Sequence, residues 1–139
     1  MSPKKTDAGN PSDWLAFIDE DLGAVALLIR HRVSFHVCRS KLAEALEKAL
    51  KADLIRRGWS LVKVHDLQKL CDHLATYDES VADHLQRLVD ELVESYTEGR
   101  YPGFDLDEPD WETLESQYQS VRNYVEELKK VITPHSNRE

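Results

Sequence analysis

Cysteine is scarce in this chain, with two among 139 residues, and neither Cys38 nor Cys71 sits in Cys-x-x-Cys spacing. A disulfide framework and a thiolate metal site are thereby excluded. With no secretory leader pattern ahead of them, reduced structural thiols and a cytoplasmic location are expected. Long apolar runs are also missing. The longest, Ala24 to Ile29, falls far short of the roughly 20 residues a membrane-spanning helix needs, so no membrane role is expected. Glycine is thin, at five residues, and none of them forms a phosphate-cradling loop or a Gly-x-Ser-x-Gly elbow. His65, Asp66, Cys71, Asp72, His73 and His84 fall close together, but His-x-x-x-His is absent. Ligands three or four apart on one helix face are what a helical metal pair requires, so neither a metal nor any other cofactor is expected. Cys38, beside His36, carries no sign of an activated nucleophile.

Amphipathic helices are what the chain does have. A single domain of this length buries roughly 68% of the surface its unfolded form exposes, enough for a core of its own. Trp14, Ile18, Leu22, Val25 and Ile29 repeat at helical spacing behind Ser12, an expected N-cap, and this first helix runs to about Arg30. Residues 31–35 allow either a short joint or a continuous merge into the next helix. There Val37, Leu42, Ala45, Leu46, Ala49, Ala52 and Ile55 make one apolar face, Lys41, Lys48, Lys51, Arg56 and Arg57 lie off it, and Gly58 closes the helix. Trp59 to Val64 reads as a buried loop. Asp66 then caps a helix with Leu67, Leu70, Cys71 and Leu74 on one face. Asp78 caps another, carrying Val81, Leu85, Leu88, Leu92, Val93 and Tyr96 inward and acids outward.

Gly99 to Glu108 is the one long polar connection. After it, Pro109 suits a first helical turn with Glu108 or Asp107 as cap. Trp111, Leu114, Tyr118, Val121, Val125, Leu128 and Ile132 then step by three and four, a repeat that calls for a long, nearly aligned neighbour. Thr133-Pro134 ends the pattern. The expectation is an all-α protein, a five-helix up-and-down bundle, with one domain over residues 12–133 between a disordered tail at 1–11 and a short tail at 134–139.

The net charge of −8 argues against wholesale nucleic-acid binding, yet it hides a division along the chain. Residues 30–69 hold ten Lys or Arg against four acids, and residues 78–115 hold thirteen acids against Arg87 and Arg100. Two solvated faces would explain this; so would docking faces for phosphate or for a charged partner.

Glu47-Lys48-Ala49-Leu50-Lys51-Ala52-Asp53-Leu54, then Gly58, then His65-Asp66-Leu67-Gln68-Lys69-Leu70, resembles the central signature of the HEPN family of small helical domains. Asp21-Leu22 with Ala24 and Leu27-Leu28 resembles the family's first helix. Tyr96 with Arg100-Tyr101-Pro102 resembles the run before its last helix. The resemblance implies the same helical bundle. It also implies a minimal nucleotidyltransferase as partner, in a toxin–antitoxin pair or a two-part transferase in which this chain helps hold nucleotide or RNA.

Family members that cut RNA use an arginine and a histidine with four to six residues between them, a pairing suited to holding phosphate and moving the 2'-hydroxyl proton. Only Arg30 and His36 fit that spacing here, and they lie earlier than the family's motif; Arg100, at the expected place, is followed by no histidine. A metal-independent ribonuclease is therefore the alternative reading, and a plain oligomeric scaffold the second alternative. Candidate ligand-binding residues are Lys48 and Lys51, three apart on the second helix, His65 within the signature, and Arg100 with Tyr101 on the Gly/Pro-braced loop. Solvated lysines, a hydrogen-bonding histidine and a tyrosine packed into the bundle end are the plainer readings of the same residues. A homodimer is expected because Trp14, Trp111 and Tyr118 offer more apolar surface than the bundle must bury.

Overall fold

A computed structural model describes residues 5–93, 102–103 and 108–132. Among these residues there are five helices and no strand: α1 (Pro11–His31), α2 (Phe35–Arg56), α3 (Leu67–Tyr77), α4 (Glu79–Val93) and α5 (Trp111–Val131). The all-helical bundle expected from the apolar spacing is what forms.

Helix α2 is its axle. It packs against all four other helices, so its burial runs nearly all round: Cys38, Leu42, Ala43, Ala45, Leu46 and the whole stretch Ala49–Leu54 are inside. The single apolar face expected here is thus too narrow. Val37 is exposed and Ile55 half-buried, whereas Leu50 and Leu54 are fully buried. Alanines 43, 45, 49 and 52 let neighbouring backbones approach from several sides, and a helix surrounded in this way has no room for a basic face.

The joints follow local chemistry. Asn10, not Ser12, caps α1 by accepting the Ser12 N–H at 3.0 Å, with Pro11 in the first turn. Residues 7–10, assigned to a tail by the sequence, fold back on α1: Trp14 Nε1 donates to the Ala8 carbonyl at 2.7 Å and the Asp7 N–H donates to Asp13 at 2.8 Å. A true joint separates α1 from α2, because Arg32 and Ser34 both adopt left-handed backbone (φ 53° and 56°). At the far end of α2, Gly58 takes φ +101°, and the Gly58 and Trp59 N–H groups donate back to the Ile55 and Leu54 carbonyls. This double closure needs the left-handed residue that glycine supplies most cheaply.

Asp66 and Asp78 cap α3 and α4 as their positions imply, accepting from the Lys69 and Val81 N–H groups. For α5 the cap is Asp110 rather than Glu108 or Asp107. Its carboxylate accepts from the Thr113 hydroxyl and N–H at 2.7 and 3.0 Å, bonds that hold its pKa below the ordinary carboxylate value. The connection over residues 59–64 is not buried as expected: Ser60 to Lys63 face solvent, and Trp59 and Val64 are half-buried.

Both cysteines are free and buried. Burial pushes each thiol above its ordinary value, and nearby Asp72, Asp90 and Asp83 add to the effect at Cys71. Neither should react with a thiol reagent at pH 7.5 until the protein unfolds, when both should react at once. Rapid labelling of the folded protein, followed by mass spectrometry, would contradict this placement.

Candidate functional site

The signature residues on α2 meet as a charged network. The Glu47 carboxylate, buried by its neighbours, accepts from Lys51 Nζ at 2.9 Å, and the same oxygen lies 2.8 Å from His65 Nδ1. Lys51 is only 4% exposed and sits 5.8 Å from the centre of the Trp14 ring. The lysine that a solvated face would carry is therefore an internal cation, fixed between a carboxylate and an aromatic face.

Lys48 is turned the same way. Its ammonium pairs with Asp21 of α1 at 2.6 Å. The adjoining hollow of about 280 Å³ is walled by Trp14 and Phe17 and edged by Asp7 and Asp13. Apolar walls with carboxylates do not suit a phosphate. Of the three residues in the Glu47 network, His65 alone faces solvent, with 71% of its side chain exposed. Its Nδ1 faces the Glu47 carboxylate and also lies 3.4 Å from Lys51 Nζ. His65, Asp66, Leu67 and Val93 border a second hollow of about 420 Å³, so His65 keeps its place as a binding candidate. Arg100 and Tyr101, like Tyr96, lie outside the described residues.

A second buried network went unnoticed in the sequence. Asp53, 1% exposed, accepts from Arg56 and Arg57 on its own helix at 2.8 and 2.9 Å, and from the Tyr124 hydroxyl of α5 at 2.7 Å. Burial disfavours the charge on Arg57, but its hydrogen bond to Asp53 and the charges of Asp53 and Asp78 hold its pKa above the ordinary value. Burial, then the Asp53 charge and hydrogen bond, push the Tyr124 hydroxyl well above its ordinary value. Arg56 and Arg57 thus neutralise a carboxylate that ties α2 to α5.

Arg30 and His36 flank the left-handed turn between α1 and α2, Arg30 exposed and His36 half-buried with its ring 5.2 Å from that of Phe35. Around them the chain is unlike the rest of the molecule. Over the fourteen residues from Arg30 to Ala43 there is no acid, while Arg30, Arg32, Arg39 and Lys41 are basic and His31 and His36 add to them. The fold brings Trp111, at the start of α5, onto this segment.

The Phe35 and Trp111 rings meet edge to face at 5.2 Å, with Arg32 5.6 Å from the Trp111 centroid and Arg39 5.9 Å from that of Phe35. Two braced aromatics between guanidinium groups form a platform able to stack a base and contact phosphate. The acid-free stretch was a sequence signal for this end of the bundle; the arrival of Trp111 was not, because it depends on how α5 returns. Trp111 is therefore engaged here, and Trp14 and Tyr118 also pack against the core, so these three are not the surplus apolar surface taken to imply a dimer. Exposed apolar side chains stand elsewhere, at Phe17, Leu27, Val33 and Val37 among others.

No helix of the described residues is long and apolar enough to cross a membrane, and none of their side chains cluster as a metal site would. Comparison with curated proteins and with solved structures returns no match. A family model described as HEPN domain matches residues 12–132, the whole of the bundle from the first turn of α1 to the cap of α5. This match, which takes in the signature on α2 and α3 and all but the ends of the chain, places the chain in the HEPN domain family.

Proposed function

We propose that this HEPN protein is an accessory module associated with RNA or nucleotide, which dimerises and works with a small nucleotidyltransferase in a toxin–antitoxin type of pair. The basic and aromatic end of the bundle carries the reading. Arg32, Arg39 and Phe35 supply guanidinium groups and a stacking face from a segment free of acids, within a chain of net charge −8, and Trp111 of α5 adds a second ring. Lys48 and Lys51, the other cations considered for phosphate, are engaged with Asp21 and Glu47. The nucleotidyltransferase follows from the family resemblance. The exposed acids Glu79, Asp83 and Asp90 of α4 offer a basic partner a docking face.

One observation favours a second reading, a metal-independent ribonuclease: Arg30 and His36 flank the same turn, at the same basic end. Affinity purification of the tagged protein from its native host separates the readings. Stoichiometric recovery of a nucleotidyltransferase supports the accessory module. Recovery of the protein alone, with growth arrest on expression that His36→Ala relieves, would replace it with the ribonuclease. A scaffold without ligand chemistry would do neither and would not retain RNA.

A further inference from the structure

The outward face of α1 has no partner among the described residues. Ala16, Glu20, Gly23, Leu27 and Arg30 recur along it at steps of four and three, all exposed, with Phe17 and Ala24 on one flank. Phe17 is 46% exposed, Leu27 53%, and Val33, just past the helix end, 45%. Glycine is disfavoured inside a helix, yet a Cβ on Gly23 would meet no atom within 4 Å. Nothing within the described chain requires a glycine there; close approach by a second helix would. Glu20 and Arg30 have no ion-pair or hydrogen-bond partner among the described residues. Ten residues separate them, about 15 Å along the helix, too far for them to meet each other.

We infer that this face is where two copies of the chain pack, α1 against α1, antiparallel about a twofold axis that crosses the helix at the level of Val25. That single register sets Glu20 opposite the partner's Arg30, Leu27 into the gap over the partner's Gly23, and Phe17 against the partner's Val33. Each pairing occurs twice, as a twofold interface demands. The opposed charges favour the antiparallel arrangement, since a parallel one would bring Glu20 to Glu20 and Arg30 to Arg30. The inference rests on the homodimer proposed above and assigns its surface.

Sedimentation equilibrium of the full chain tests this. The unmodified protein should be a dimer. Glu20→Arg and Arg30→Glu should each raise its dissociation constant by about tenfold or more, because each sets like charges together. Glu20→Arg combined with Arg30→Glu should restore the dimer. Gly23→Leu, at a position where a Cβ meets no atom within 4 Å, should give a monomer with unchanged helical circular dichroism. A monomeric unmodified protein would overturn both this interface and the homodimer. A dimer indifferent to all these changes would overturn the interface alone, and disruption by the single charge changes without rescue by the pair would overturn the register.

Discussion

Replacing Asp53 with alanine is expected to cost about 3–5 kcal/mol of folding stability, the range for removing one member of a buried ion pair. The carboxylate is the shared acceptor of Arg56, Arg57 and Tyr124, and its loss leaves two guanidinium groups and a buried hydroxyl facing a vacant site. Tyr124→Phe keeps the ring and removes one charge-assisted hydrogen bond, so it should cost less, about 1.5–3 kcal/mol. In a double-mutant cycle the two losses should fall short of additive, since both remove the same bond. Urea unfolding of the four proteins measures this. Full additivity would mean that Asp53 and Tyr124 do not couple α2 to α5.

The same network sets a dependence on pH. Tyr124 holds its proton in the folded state above its ordinary value of 10.0, whereas the unfolded chain releases it near that value. Above about pH 10 the folded state therefore binds more protons than the unfolded one, and stability falls as pH rises. Tyr124→Phe should show a shallower decline over that range than the unmodified protein.

Glu47→Ala is the second large change expected, at about 3 kcal/mol or more, because it strands Lys51 inside the bundle without its carboxylate. Replacing both partners with apolar residues, Glu47→Leu with Lys51→Met, should recover most of that loss, since a buried ion pair adds little over well-packed hydrophobic side chains. This pair of results also separates two roles for Lys51. If the lysine is structural, the double variant folds and binds RNA as before. If it contacts phosphate, the double variant folds but loses affinity. The 2.9 Å pairing with Glu47 leads to the first result.

The helices were legible because their apolar residues repeat at helical spacing and their caps are local: Asp66, Asp78 and Gly58 each act on groups within a few residues. Surroundings were not legible. Lys51 reads as a surface residue because it lies off the apolar stripe of its own helix, and only the approach of Trp14 of α1 and of His65 ahead of α3 puts it inside. Asp53 and Tyr124 are 71 residues apart, so no window along the chain links them. His65 stood out through the family signature, but the carboxylate that orients it comes from α2. The basic and aromatic end was half legible: the acid-free stretch is a property of the sequence, while the stacking of Phe35 on Trp111 is a property of the fold.

The functional account turns on whether this protein holds RNA without cutting it. Purified protein incubated in EDTA with end-labelled single-stranded RNA, resolved on native and denaturing gels side by side, reads both properties at once. The expected result is RNA retarded on the native gel and of full length on the denaturing gel, with retardation weakened in Arg32→Ala and Arg39→Ala and by added salt. Shortened RNA whose production His36→Ala abolishes, or no retardation at all, would contradict it.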